Sequence, residues 1–178
     1  MSTSRPGRTR ARILVTNDDG IHAPGLHELA RALQPLGHVV MVAPDTERSA
    51  VGHAITLSDP IKMRPVRDNG RFIGYAVGGT PADSVKLAVC ALLRRRPDLV
   101  VSGINLGPNA GIAVLYSGTV SAATEGTLLD IPSMAVSLNT FERPQWATAA
   151  RAAAELAGLL LRTPLPRGVL LNVNVPNL

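Results

Sequence analysis

The apolar run Ile13-Leu14-Val15 leads through Thr16 and Asn17 into two adjacent carboxylates and a glycine, Asp18-Asp19-Gly20. A buried parallel strand reads this way where its C-terminal end opens into a site. Adjacent carboxylates repel, and burying either without a partner is costly. A divalent cation is the usual partner, and hard cations take oxygen ligands. On its own the segment also reads as a solvated Asp-Gly turn after an edge strand. Two further polar segments favour the metal: Glu47-Arg48-Ser49, and Ser102-Gly103-Ile104-Asn105 after the apolar stretch Leu99-Val100-Val101. Together with the aspartates they offer two carboxylates, a hydroxyl and an amide oxygen. That set suits Mg²⁺, Mn²⁺ or Ca²⁺, and no His or Cys spacing suits zinc.

A stretch rich in Gly and Asn, Gly103 to Gly111, tolerates positive φ and exposes backbone N–H groups, as an anion nest requires. Ser117-Gly118-Thr119 then precedes an expected helix, whose N-terminus holds anions through free N–H groups and the helix dipole. A metal beside an anion nest describes phosphoryl transfer or phosphate hydrolysis. Ser117 or Thr119 acting as an ordinary cap is the plainer reading of that segment. His22 and His53 fall near these segments and receive no catalytic role, while His27 and His38 read as surface or helix-end residues.

These segments must be positioned by alternating strands and helices. Strands are predicted over residues 13–16, 38–43, 98–102, 133–137 and 169–175. Helices are predicted over 24–36, stopped by Gly37, and over 81–94, 119–129 and 144–162. Residues 61–67 and 71–77 flank Asp68-Asn69-Gly70 and read as a β-hairpin. Thr80 reads as an N-cap with Asp83 three residues on. The pattern implies an α/β fold: a doubly wound, Rossmann-like, mostly parallel sheet in three layers with a β-hairpin insertion.

The chain has 178 residues, 46% of them apolar and only 3% aromatic, so its core must be aliphatic. The low aromatic content argues against a base-stacking nucleic-acid binder. The net charge is +5, concentrated in Arg5, Arg8, Arg10 and Arg12 and in Arg94-Arg95-Arg96. Residues 1–12 read as a disordered basic arm and 13–178 as one domain. Arg94 to Arg96 read as the last turn of a helix. The single cysteine, Cys90, reads as a buried structural thiol in a reducing compartment. No apolar run approaches the roughly 18 residues of a membrane span, and the N-terminus lacks an apolar signal region, so a cytoplasmic location is expected.

The motif Ile13 to Ile21 resembles the opening of the SurE (survival protein E) family of metal-dependent 5′/3′-nucleotidases. The resemblance continues through Val42 to Ser49, Gly78 to Asp83, Val101 to Asn109, Tyr116 to Gly126 and Leu171 to Pro176. It implies a phosphatase of nucleoside 5′- and 3′-monophosphates that uses metal-activated water. One divalent cation, Mg²⁺ or Mn²⁺ with Ca²⁺ as a third option, would be held by Asp18, Asp19, Ser49 and Asn105, with both aspartates catalytic. Asn17, Gly103, Asn109, Ser117, Gly118 and Thr119 would bind phosphate or substrate. The resemblance also implies a small-molecule nucleotide as the partner and a homodimer or homotetramer, while the composition and the short apolar runs argue against nucleic acid and membrane as partners. Family members usually continue well past the position of Leu178, so the extension that helps build the oligomer is expected to be missing.

A signalling receiver domain also places paired acids after its first strand to bind Mg²⁺. It needs a phosphoacceptor Asp where this chain has Ser102 and Asn105, and a Lys that does not follow Ser137. A non-catalytic metal- or nucleotide-binding protein is the other alternative.

Overall fold

The computed structural model describes residues 10–178. The arm predicted over residues 1–12 lies outside the described residues as far as position 9. At its far end, Ala11 and Arg12 pair with Gly37 and His38 and belong to the first strand. The elements run β1 (Ala11–Thr16), α1 (Pro24–Leu33), β2 (Gly37–Pro44), β3 (Met63–Asp68), β4 (Arg71–Val77), α2 (Pro81–Leu87), β5 (Leu99–Leu106), α3 (Gly118–Leu128), β6 (Ser133–Asn139), α4 (Trp146–Leu160) and β7 (Leu171–Pro176). One seven-stranded sheet has the order β3-β4-β2-β1-β5-β6-β7. Every pairing is parallel except β3 with β4. The hairpin insertion therefore forms the edge beside β2. Its turn residues Asn69 and Gly70 both have positive φ, as a tight two-residue hairpin turn requires.

Strand alternation divides the core. Ile13, Val15, Leu99 and Val101 pack under α1 and α4, whereas Leu14 and Val100 pack under α2 and α3 with Val85 and Ala122. Each central strand is covered on both faces, which is why its sequence is continuously apolar. The sheet thus lies between two helical layers, in agreement with the expected class. At α2 the capping box is complete: Asp83 N donates to Thr80 Oγ1 at 3.0 Å, and Thr80 N donates to Asp83 Oδ2 at 2.9 Å. No helix of the described residues is long and apolar enough to cross a membrane.

Several expectations need correction. Helix α1 ends at Leu33, not at Leu36, because Pro35 has no N–H to continue it. Gly37 opens β2 instead of stopping the helix. Helix α2 widens into a π-type turn over Ala88–Leu92, and Cys90 is exposed there, not buried. It lies four residues after exposed Lys86 and shares that solvent-facing side. Arg94 to Arg96 lie beyond the helix, since Leu93 is already extended. Arg95 instead donates to both carboxylate oxygens of Asp98 at 3.1 Å, bracing the entry to β5. Finally, β5 runs on through Leu106, so Gly103 and Asn105 are strand residues and the glycine-rich loop starts later.

Candidate active site

The site lies beyond the carboxyl ends of β1, β2 and β5, where open α/β sheets bind ligands. Asn17, fully buried, shapes the turn after β1. Its Nδ2 donates to Gly20 O at 3.0 Å and its Oδ1 accepts from Gly20 N at 3.2 Å. The loop after β2 is tied to this turn by Arg48 N, which donates to Asp18 O at 2.7 Å. The start of α3 presses on Asp18 from the other side. A Cβ at Gly118 would lie 2.7 Å from Asp18 Cβ, so only glycine permits this approach. Thr119 Oγ1 donates to Asp18 Oδ1.

A cavity of about 480 Å³ opens here, lined by Asp18, Asp19, Glu47, Ser49, Asn105 and Asn109, with Ser117, Tyr116 and Phe141 completing its walls. Asp18 is only 5% exposed. Burial pushes its carboxyl above the ordinary carboxylate range, outweighing the Thr119 hydrogen bond that favours the ionised form. Asp19 is pushed up to about 7, first by burial, then by the charges of Asp18 and Glu47. Among the described residues no Lys, Arg or His forms an ion pair with these three acids.

The donor chemistry fits a hard cation. Two adjacent uncompensated carboxylates share the cavity with neutral oxygens of Ser49 and Asn105. Asn105 donates its amide to Gly107 O at 2.7 Å and to Leu106 O at 3.3 Å, and its Oδ1 accepts no hydrogen bond among the described residues. No group of three or more His, Cys, Asp or Glu side chains suited to a metal occurs among the described residues. An ion here would therefore draw on two carboxylates and neutral oxygens.

Most of the expected site residues converge on the cavity, but not all. Asp18, Asp19, Ser49, Asn105, Asn109 and Ser117 line it. Ser117 is also the N-cap of α3, accepting from Val120 N at 3.1 Å, as the capping reading expects. Gly118 and Thr119 act from behind Asp18, and Asn17 from beneath the turn. Gly103 does not line the cavity. It sits inside β5, where a Cβ would lie 2.3 Å from Val136 O, and the expected nest does not begin there. Among the histidines, His22 is exposed and His53 Nε2 pairs with Glu125 Oε2 at 2.9 Å, outside the cavity lining.

Four participants were missed from sequence. Glu47 was recognised only as part of its segment, and Tyr116 only within a motif. Asn172 and Asn174 were recognised only within the motif Leu171 to Pro176, yet both hold the loop after β5. Their Nδ2 groups donate to Asn109 O at 2.7 and 3.0 Å, and Asn109 N donates to Asn174 Oδ1 at 2.7 Å. Their alternation along β7 was the available signal, since residues i and i+2 share a face.

The chain is similar to known proteins over most of its length. The family model described as Survival protein SurE matches residues 13–178. A protein of Syntrophobacter fumaroxidans named 5′-nucleotidase SurE is 53% identical over 167 residues, covering 94% of this chain and 67% of that protein. One of the same name from Chlorobaculum tepidum is 45% identical, covering 98% and 66%. The crystal structure of the SurE protein from Aquifex aeolicus superposes with a TM-score of 0.87 at 45% identity, covering 94% of this chain and 66% of that one. The chain spans about two thirds of the length of the relatives it matches. With a family model matched from the first strand to the last residue, this chain belongs to the SurE family.

Proposed function

We propose that this chain hydrolyses nucleoside monophosphates to nucleoside and phosphate with the help of one divalent cation. The observation that carries the reading is the pair Asp18 and Asp19, uncompensated by any cationic side chain, at a cavity that also receives Ser49 and Asn105. The matched relatives named 5′-nucleotidase SurE support the substrate class.

Asp18, Asp19, Ser49 and Asn105 would hold the ion, with Mg²⁺ and Mn²⁺ as first choices and Ca²⁺ compatible with the same oxygens. When bound, a hard divalent cation offsets charge building on phosphoryl oxygens and acidifies water. The chain itself supplies positioning. Ser117 lines the cavity at the start of α3, where the helix dipole favours a phosphate oxygen. Thr119 and Gly118 fix Asp18, and the Asn172–Asn174 clasp fixes the loop bearing Asn109. Asp18 is a poor nucleophile here, because it is buried and Thr119 occupies Oδ1. Water is the attacking group, and the reaction inverts configuration at phosphorus. Assembly into a dimer or tetramer belongs to the same family-based reading and is tested by light scattering.

The experiment is phosphate release from a panel of nucleoside monophosphates with Mn²⁺, Mg²⁺ or chelator. Turnover that requires the metal supports the reading, and undiminished turnover in excess chelator refutes it. No finding favours a receiver-like signalling protein, and absence of turnover with every metal would favour a non-catalytic binder.

A further inference from the structure

Residues 45–62, between β2 and β3, bring Glu47 and Ser49 to the cavity without forming a strand or helix. No residue from 45 to 60 is buried. Apolar packing therefore does not hold this stretch, and an irregular loop of such length in a compact domain needs other ties. Its backbone also turns twice through the left-handed region, at Ala50 (φ 56°) and Gly52 (φ 57°). Alanine is disfavoured there and persists only where its surroundings hold it.

The ties are hydrogen bonds. Arg48 N donates to Asp18 O at 2.7 Å, and Gly52 N donates to Tyr116 O at 3.1 Å. Further along, Thr56 N donates to Asp83 Oδ1 at 3.0 Å, and Thr80 Oγ1 donates to Ala54 O at 2.7 Å. Between Ser49 and Ala54 the described residues show one side-chain tie, His53 Nε2 to Glu125 Oε2 at 2.9 Å. An ionised carboxylate only accepts, so His53 donates from Nε2.

Glu125 is the only charged residue of α3 and is 4% exposed. Its other oxygen, Oε1, accepts from Lys86 Nζ at 3.0 Å, which supplies the countercharge that a buried carboxylate needs. With that charge met from α2, Oε2 is a fixed acceptor for the loop. The same helix meets Asp18 through Thr119, so α3 reaches both the aspartate turn and the loop bearing Ser49. Ser49 Oγ donates to Glu47 Oε1 at 2.7 Å, and its lone pairs remain for a cation.

We propose that His53 is a positioning residue, which holds the loop bearing Ser49 at the cavity by hooking onto Glu125, a bracket preset by Lys86. His53 does not line the cavity and acts only through the loop. The role needs an N–H donor at the position of Nε2 and no proton transfer, so glutamine can fill it. This inference rests on the metal reading of the cavity for the part that Ser49 plays.

The test uses the full chain and the variants His53→Ala, His53→Gln and Lys86→Met. Two readouts need no turnover: amide hydrogen exchange over residues 46–53 in chelator, and Mn²⁺ binding by isothermal titration. In His53→Ala exchange should quicken and the Kd for Mn²⁺ should rise about tenfold. In His53→Gln both should stay near the unsubstituted values. Lys86→Met should lower Tm yet leave both readouts in place, because the hook itself is retained. With a nucleoside monophosphate, His53→Ala should raise the half-saturating Mn²⁺ concentration more than it lowers kcat at saturating Mn²⁺. Unchanged exchange and Kd in His53→Ala would overturn the proposal. A His53→Gln variant as impaired as His53→Ala would also overturn it, since the imidazole would then do more than donate. Equal losses in Lys86→Met would overturn it by showing a general loosening of α2 against α3. If the unsubstituted protein binds no Mn²⁺, the metal reading fails while the exchange comparison still decides the hook. If it binds Mn²⁺ and turns over but exchange in His53→Ala is unchanged, the hook alone fails.

Discussion

Replacing Asp19 by Asn should make the metal-free protein more stable at neutral pH while removing its activity. In the folded chain the Asp19 carboxyl is raised from 3.8 to about 7 by burial and by the charges of Asp18 and Glu47. Because the folded-state value lies above the ordinary one, the protonated group favours folding. That contribution is fully present below about pH 4 and is lost as pH rises to about 7. A displacement from 3.8 to about 7 corresponds to about 4 kcal/mol, at ~1.4 kcal/mol for each tenfold change. Asp19 retains contact with solvent, which screens the effect to about 2 kcal/mol. Asp19→Asn keeps the shape, removes the charge, and relieves Asp18 of its nearest repulsion. For a chain of this size about 2 kcal/mol raises Tm by roughly 4–8 °C. The assay is thermal unfolding in chelator at pH 5 and pH 8, with and without added Mn²⁺. The variant should exceed the unsubstituted protein at pH 8, match it more closely at pH 5, and gain little from Mn²⁺, which should raise Tm only where Asp19 is charged. A variant no more stable than the unsubstituted protein at pH 8 would refute the argument that Asp19 is an uncompensated charge awaiting a cation.

Gly118→Ala places a methyl group 2.7 Å from Asp18 Cβ and 2.9 Å from its Oδ2. It should cost about 1–3 kcal/mol in denaturant unfolding and depress turnover far more than a change elsewhere on α3. Thr119→Val preserves volume in a fully buried position but leaves Asp18 Oδ1 without its donor. About 1–3 kcal/mol of stability should be lost, and turnover should fall about tenfold if Asp18 shifts; unchanged kinetics would show that this hydrogen bond does not position it. Asn174→Ala removes both side-chain hydrogen bonds to the Asn109 backbone. KM should rise more than kcat falls, and amide hydrogen exchange at Asn109 should accelerate; slow exchange there would mean that Asn172 holds the loop alone. Chirally labelled phosphate should leave with inverted configuration, since retention requires a covalent phosphoenzyme.

The sequence by itself carried the architecture. Ile13 to Val15 and Leu99 to Val101 are continuously apolar because helices cover both faces of the strands they form, and that local pattern predicts a parallel sheet with sites at its strand ends. Asn69-Gly70 and Thr80 with Asp83 were legible for the same reason: turn and cap chemistry depends on neighbours within a few residues. Asp18-Asp19 announced unpaired charge in the chain order alone. Tertiary structure decided what lay nearby from distant parts of the chain. The approach of Gly118 and Thr119 to Asp18, the hold of Asn174 on Asn109, and the joining of Tyr116 with Phe141 in one cavity all cross long sequence separations that no periodicity encodes. Cys90 and Gly103 were misread for a related reason. Composition gives the chance that a thiol is buried or that a glycine turns, but packing sets which way a widened helical turn faces and how far a paired strand continues.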